Sequence, residues 1–312
     1  MALRFPAADR AAAAWSRLTP NARGASLVLL GSGAFALNDA VVKTLGFTFH
    51  ATQMGFFRYF FGFLILMPLF ARHGVASLAT RRPWLHFGRA VIAGIGQVGA
   101  YYAVIELLLA DATAIAFSRV LFLTVLAVIF LGEMVGWRRW TATSVGFLGV
   151  VVMVRPGHHG IDPVALFAVL AAFLFAVGLV LVRIMASTEP AHRILFYYHV
   201  GGALLLLGPA VWYWRTPMPL EWAMLFLVSV LTTFGMVCFI RGFMVGDASV
   251  LGPMEYVRLV YAAAIGYFLF TELPDVWTCV GAAIIVGSTL YIARREALEA
   301  RARGVRVRPS AG

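Results

Sequence analysis

Five basic residues sit inside long apolar runs, where a charge is expensive: Lys43, Arg58, Arg89, Arg119 and Arg258. Acids share some of those runs. Asp39 lies four residues before Lys43, and Glu255 lies three before Arg258, so each acid can share a helix face with its base. Such groups usually face a protein interior and mark a ligand or ion pathway. Asp39 and Arg58 fall at similar depth, so Asp39 is expected within ion-pair reach of Arg58, Lys43 or both. That pair could equally be a structural lock or a substrate contact. Glu255 and Arg258 are expected to neutralise each other in part, with Arg258 and Tyr261 continuing one face. Gln97, Tyr101 and Tyr102 are placed to line a cavity, and Phe234, Tyr256 and Tyr261 could stack on a flat ligand. Arg89, about one turn into its run, is expected to snorkel to the nearer surface.

Several patterns carry no chemistry. Gly94-Ile-Gly96-Gln-Val-Gly99 fits a dinucleotide fingerprint, but no strand precedes it, and its glycines suit close helix packing better. His158-His159 lacks further ligands at metal spacing. Cys238 and Cys279 are read as packing residues. No catalytic constellation, metal site or cofactor is expected.

The elements that position these residues follow from composition. The 312 residues are 62% hydrophobic and 12% charged, with a mean hydropathy of +0.87. A soluble chain of this size would lack the charge to stay dispersed. Apolar runs of ~20 residues match the thickness of a bilayer core, and short alternating barrel strands are absent. The reading is an all-α membrane protein of ten transmembrane helices, near 25–46, 50–70, 84–107, 112–131, 140–155, 162–183, 192–214, 221–242, 248–271 and 275–293. The fifth is the shortest. A formal charge of +11 might suggest nucleic acid. The positions of the bases exclude it: with the N-terminus inside, eighteen lie on the cytoplasmic side, two (Arg155 and Arg215) outside and five within spans. That asymmetry sets both termini in the cytoplasm of a multi-pass bacterial inner-membrane protein.

A repeat runs through the chain. Phe117-Ser-Arg119 leads to Glu133, and Tyr256-Val-Arg258 leads to Glu272, with fourteen residues from Arg to Glu in each and 139 between copies. Ala110-Asp111-Ala112-Thr113 echoes Gly246-Asp247-Ala248-Ser249 upstream. Five spans per copy is odd, so the second half enters the membrane inverted: an inverted five-plus-five repeat. The expected organisation is a tail at 1–24, halves at 25–157 and 158–293, and a basic tail at 294–312.

These residues resemble the drug/metabolite transporter superfamily, EamA type. Ala114–Phe122 running to Leu131-Gly-Glu133, Pro253–Tyr261 running to Phe270-Thr-Glu272, Asp39–Lys43 and Arg58–Gly62 carry the resemblance, which spans about 25 to 295. It implies ten helices, cytoplasmic termini and a central cavity built largely from spans 1, 3, 4, 6, 8 and 9. It also implies a small metabolite as cargo, such as an amino acid, S-adenosylmethionine or riboflavin. Read from their polarity and placement in the spans, the expected site residues are Asp39, Arg58, Gln97, Tyr101, Arg119, Phe234, Glu255, Tyr256, Arg258 and Tyr261. Arg119 and Arg258 would meet an anionic group. Glu255 or Asp39 would meet a cationic one, or titrate for proton coupling. Two other classes make different demands. A lipid-modifying enzyme needs convergent catalytic side chains near one interface, and a scaffold or sensor needs no cavity, with every buried charge closed in a pair.

Overall fold

The computed structural model describes residues 18–132, 136–154, 162–246 and 251–302, and all regular structure among them is helical. Eleven α-helices occur among the described residues: α1 Pro20–Gly46, α2 Ala51–His73, α3 Pro83–Glu106, α4 Leu109–Phe117, α5 Arg119–Leu131, α6 Trp137–Val154, α7 Pro163–Ala186, α8 Ala191–Trp212, α9 Pro219–Val245, α10 Val257–Phe270 and α11 Val276–Ala302. They make ten spans. The fourth is α4 and α5 in line, and the ninth is a 3₁₀ turn, Gly252–Tyr256, running into α10. Six stretches (α1, α2, α4–α5, α7, α8 and α9) are long and apolar enough to cross a bilayer unaided, and α6 and α11 contain shorter apolar stretches. The protein is a multi-pass membrane protein. The fifth span is confirmed as a helix.

The ends of the helices follow local chemistry. Thr19 caps α1 and Asp162 caps α7, each accepting a backbone N–H, and each is followed by proline at the first helical position. The two halves thus begin alike. They also break alike. The fourth span is interrupted at Ser118 and the ninth at Tyr256, in both cases just before the arginine of the repeat. Both spans then end on a left-handed residue at the same repeat position, Gly132 with φ 65° and Thr271 with φ 57°. Threonine is costly there, and backbone bonds close the helix end around it: Thr271 N–H reaches the Tyr267 carbonyl at 3.1 Å and Glu272 N–H the Gly266 carbonyl at 3.0 Å. Glu133, Asp247 and the His158-His159 pair lie outside the described residues.

Packing repeats the pattern across the halves. α1 lies on α9 as α3 lies on α7, while α2 with α8, α4 with α10 and α6 with α11 pair each element with its own repeat mate. Phe117 and Tyr256, 139 residues apart, meet at a ring separation of 4.8 Å on that two-fold relation. Helices approach closely at small residues. A methyl added at Gly31 would come within 3.0 Å of the Gly235 carbonyl, and one at Gly149 within 2.9 Å of the Gly281 carbonyl. The Gly94–Gly99 motif does the same work, with Gly96 and Gly99 against α7 and Gly94 against Leu205 of α8. Two contacts around α3 break the two-fold pattern: α1 and α2 both pack on α3, but neither α7 nor α8 makes a comparable contact with α9.

Candidate functional site

The charges inside the membrane are wired between halves. Asp39 on α1 is buried and accepts a 2.6 Å hydrogen bond from Arg258 Nη2 on α10. Asn38 Nδ2 donates to the other Asp39 oxygen at 3.3 Å, and Asn38 Oδ1 accepts from Thr232 on α9 at 3.2 Å. Phe35, one turn earlier on α1, lies 5.2 Å beneath the Arg258 guanidinium. Arg258 Nε is buried without a hydrogen-bond partner, although about a quarter of the side chain remains accessible.

This corrects the expected pairing. Asp39 is not bridged to Arg58 or Lys43, and Arg258 finds its carboxylate on α1 rather than in Glu255. Spacing along one helix sets which residues share a face, but only packing decides which spans become neighbours. Lys43 instead forms an ion pair with Glu272, and its Nζ also donates to the Leu107 carbonyl. Glu272 Oε2 accepts the Leu109 N–H at 2.8 Å. One carboxylate therefore caps α4 from the far half of the chain and neutralises a lysine, a role hidden in a residue expected only at its own helix end.

Arg119, the repeat mate of Arg258, has a different setting. Glu255 from the second half attracts it, and Arg258 repels it. Ala116, one turn before Arg119 and at the repeat position of Glu255, is exposed, which leaves open volume on that face. The halves differ further up. Phe35-Ala36 through Lys43 matches Phe175-Ala176 through Arg183 at a shift of 140, which sets Leu179 at the position of Asp39 and Gly178 at that of Asn38. The anionic partner thus exists on α1 alone.

The remaining expected residues scatter. Tyr101 is buried at 4% exposure with an unpartnered hydroxyl, and it senses both Arg58 and Asp39 electrostatically. Gln97 is buried one turn below it on α3. Tyr261 lies beside Gly33 of α1. Tyr256 is packed against Phe117 in an apolar cluster with Leu121 and Ile285, so its ring is already engaged. Phe234 is half exposed on α9. Arg58 turns to α8, donating to the Tyr198 hydroxyl at 3.2 Å. Arg89 does not snorkel away. Its guanidinium lies 4.5 Å over the Tyr198 ring and donates to the Ile194 carbonyl at 3.2 Å. Tyr198 carries no sequence signal of its own, because it reads as one aromatic residue among many in an apolar run.

Tyr102 lines a separate cavity of about 480 Å³ between α2, α3, α7 and α8, walled mainly by residues such as Val98, Phe167, Leu174 and Leu206. That lining suits hydrocarbon, not a charged group, and the ionic cluster lies apart from it. Among the described residues no group of acids, histidines and cysteines is arranged to hold a metal ion.

Known proteins share this plan. The sequence profile of the EamA-like transporter family matches twice, over residues 22–155 and 162–294. The S-adenosylmethionine uptake transporter of Rickettsia prowazekii (strain Madrid E) is 34% identical over 264 residues, covering 85% of this chain and 90% of the relative. The riboflavin transporter of Rhizobium johnstonii is 29% identical, covering 88% and 91% of the two chains, and the pseudopaline exporter CntI of Pseudomonas aeruginosa is 28% identical, covering 87% and 96%. A solved crystal structure with 18% identity covers 89% of this chain and 98% of its own, at a TM-score of 0.58, which shows a common fold.

Proposed function

Since the chain belongs to the EamA-like transporter family, we propose that it is a secondary carrier that moves a small organic solute by alternating access between two inverted halves, 25–157 and 158–293. The observation that carries this reading is the crossing of charge between halves. Asp39 of the first half holds Arg258 of the second, and Glu255 of the second acts on Arg119 of the first. Ion pairs placed across a moving boundary can be exchanged for contacts with a bound solute. The unequal packing of α1 on α3 and of α7 on α9 supports the same reading, because inverted halves in unlike arrangements leave one side more open.

In this mechanism Arg119 and Arg258 receive an anionic group, and Asp39 or Glu255 receives a cationic group or a coupling proton. Gln97, Tyr101, Tyr261 and Phe234 border the path, with Arg58 deeper on α2. The cargo is a zwitterionic or aromatic metabolite, a class to which the cargoes named for the relatives, S-adenosylmethionine and riboflavin, both belong. The protein lies in a bacterial inner membrane with both termini in the cytoplasm, as its eighteen-to-two distribution of basic residues favours. A thermal-shift screen of the purified protein against amino acids, nucleosides, flavins and S-adenosylmethionine tests the cargo class. A ligand that binds the folded state raises its apparent stability, by about 2.7 kcal/mol at a hundredfold excess over Kd. No shift from any of the four classes contradicts the proposed cargo.

A further inference from the structure

Two of the intramembrane cations have no carboxylate among the described residues. Lys43 meets Glu272 and Arg258 meets Asp39, while Glu255 attracts Arg119 from beyond ion-pair distance. Arg58 and Arg89 meet only Tyr198, one at its hydroxyl and one over its ring, plus the Ile194 carbonyl. The Arg58 guanidinium also lies 5.4 Å from the centre of the Tyr59 ring. Around this pair stand two more buried phenols: Tyr59, at 0% exposure and edge-on to Tyr198 at a ring separation of 5.1 Å, and Tyr101, at 4% exposure with an unpartnered hydroxyl. Tyr101 is an electrostatic neighbour of both Arg58 and Tyr198.

The chemistry of this cluster is one-sided. It holds two permanent positive charges, several unused guanidinium N–H donors and the unpaired Tyr101 hydroxyl, with no acid among the described residues to receive them. Arginines left so in a membrane are costly unless an anion completes the site, and guanidinium forks match the planar geometry of oxyanions. We propose that Arg58, Arg89, Tyr198 and Tyr101 form a binding site for an oxyanion group, a carboxylate or phosphate carried by the solute, distinct from the Asp39–Arg258 pair. The inference rests on the carrier reading above and narrows its cargo to anion-bearing solutes. Tyr101 joins the two regions, since it senses both Asp39 and Arg58.

The test measures thermal stabilisation of the protein in phosphatidylcholine nanodiscs at fixed ionic strength, titrated with succinate and with inorganic phosphate. Wild type should be stabilised by at least one. Arg58→Gln and Arg89→Gln should each weaken the apparent affinity about ten- to hundredfold, as loss of a charge-assisted contact predicts. Arg58→Lys, which keeps the charge and controls for folding, should retain part of it. Absence of any anion effect, or wild-type affinity in Arg58→Gln, overturns the site. Stabilisation by phosphatidylglycerol alone, with none from soluble anions, assigns the cluster to a lipid headgroup and overturns the proposal too. Uptake in proteoliposomes separates the two readings. Anion binding through these residues without solute uptake sinks the carrier and leaves the site, and uptake by a variant that never bound the anions does the reverse.

Discussion

Asp39 and Arg258 are 219 residues apart in the chain and 2.6 Å apart in the bundle. Removing one partner of a buried pair strands the other, a loss of ~3–5 kcal/mol when both are fully enclosed. A quarter of the Arg258 side chain is accessible, so Asp39→Asn should cost about 2–3 kcal/mol. The double variant Asp39→Asn/Arg258→Gln should recover much of that in thermal unfolding, and additive losses would deny the coupling. A second residue-scale expectation concerns Glu189, in the connection between α7 and α8. Burial opposes its charge, but hydrogen bonds from Thr80 and Arg193, both at 2.7 Å, outweigh burial and hold its carboxyl below the usual range. The folded value is therefore lower than the unfolded one. The contact stabilises above roughly pH 4–5 and is lost as pH falls through the lowered value. Thr80→Ala should shift the acid limb of a stability–pH profile to higher pH. An unmoved limb would show that Thr80 does not hold the carboxylate.

At the scale of elements, much of the bundle was legible and the break in its fourth span was not. Apolar runs, proline starts and the fourteen-residue Arg-to-Glu spacing lead to ten spans and two copies. The interruption at Ser118 carries no glycine or proline signal, so the fourth span reads as continuous until the backbone is seen. The ion pairs were illegible for another reason: periodicity fixes the face and depth of a residue, whereas its partner depends on which helices lie side by side. Hence Lys43 could be placed near Asp39 on one helix but belongs to Glu272 on the far half. Two predictions belong at this scale. Thr271→Gly relieves the left-handed strain of ~1–2 kcal/mol, less the entropy glycine loses on folding, for a net gain of about 0.5–1 kcal/mol. A lower melting temperature would mean that the threonine side chain holds the turn. Gly149→Ala should destabilise by about 1–3 kcal/mol, because a methyl there meets the rigid Gly281 carbonyl. Gly178→Ala, facing open space, should be neutral or slightly stabilising. Equal effects at the two glycines would contradict the close crossing of α6 and α11.

For the whole molecule, the two-fold pattern and its breaches belong together. Repeat mates pair at α2–α8, α4–α10 and α6–α11, yet the acid Asp39 is answered by Leu179 on the other half, and α1–α3 is closed where α7–α9 is not. A symmetric frame with asymmetric charge is what a carrier needs to bind a polar solute in one orientation while its halves exchange shapes. The central claim is that solute passes between these halves by way of Arg258. The most direct measurement is counterflow of a radiolabelled ligand identified by the thermal-shift screen into proteoliposomes loaded with the same ligand unlabelled, comparing wild type with Arg258→Gln shown to be folded and inserted. Transient accumulation by wild type, reduced at least tenfold in the variant, is the expected result. Undiminished counterflow in Arg258→Gln would remove Arg258 from the pathway and contradict the claim.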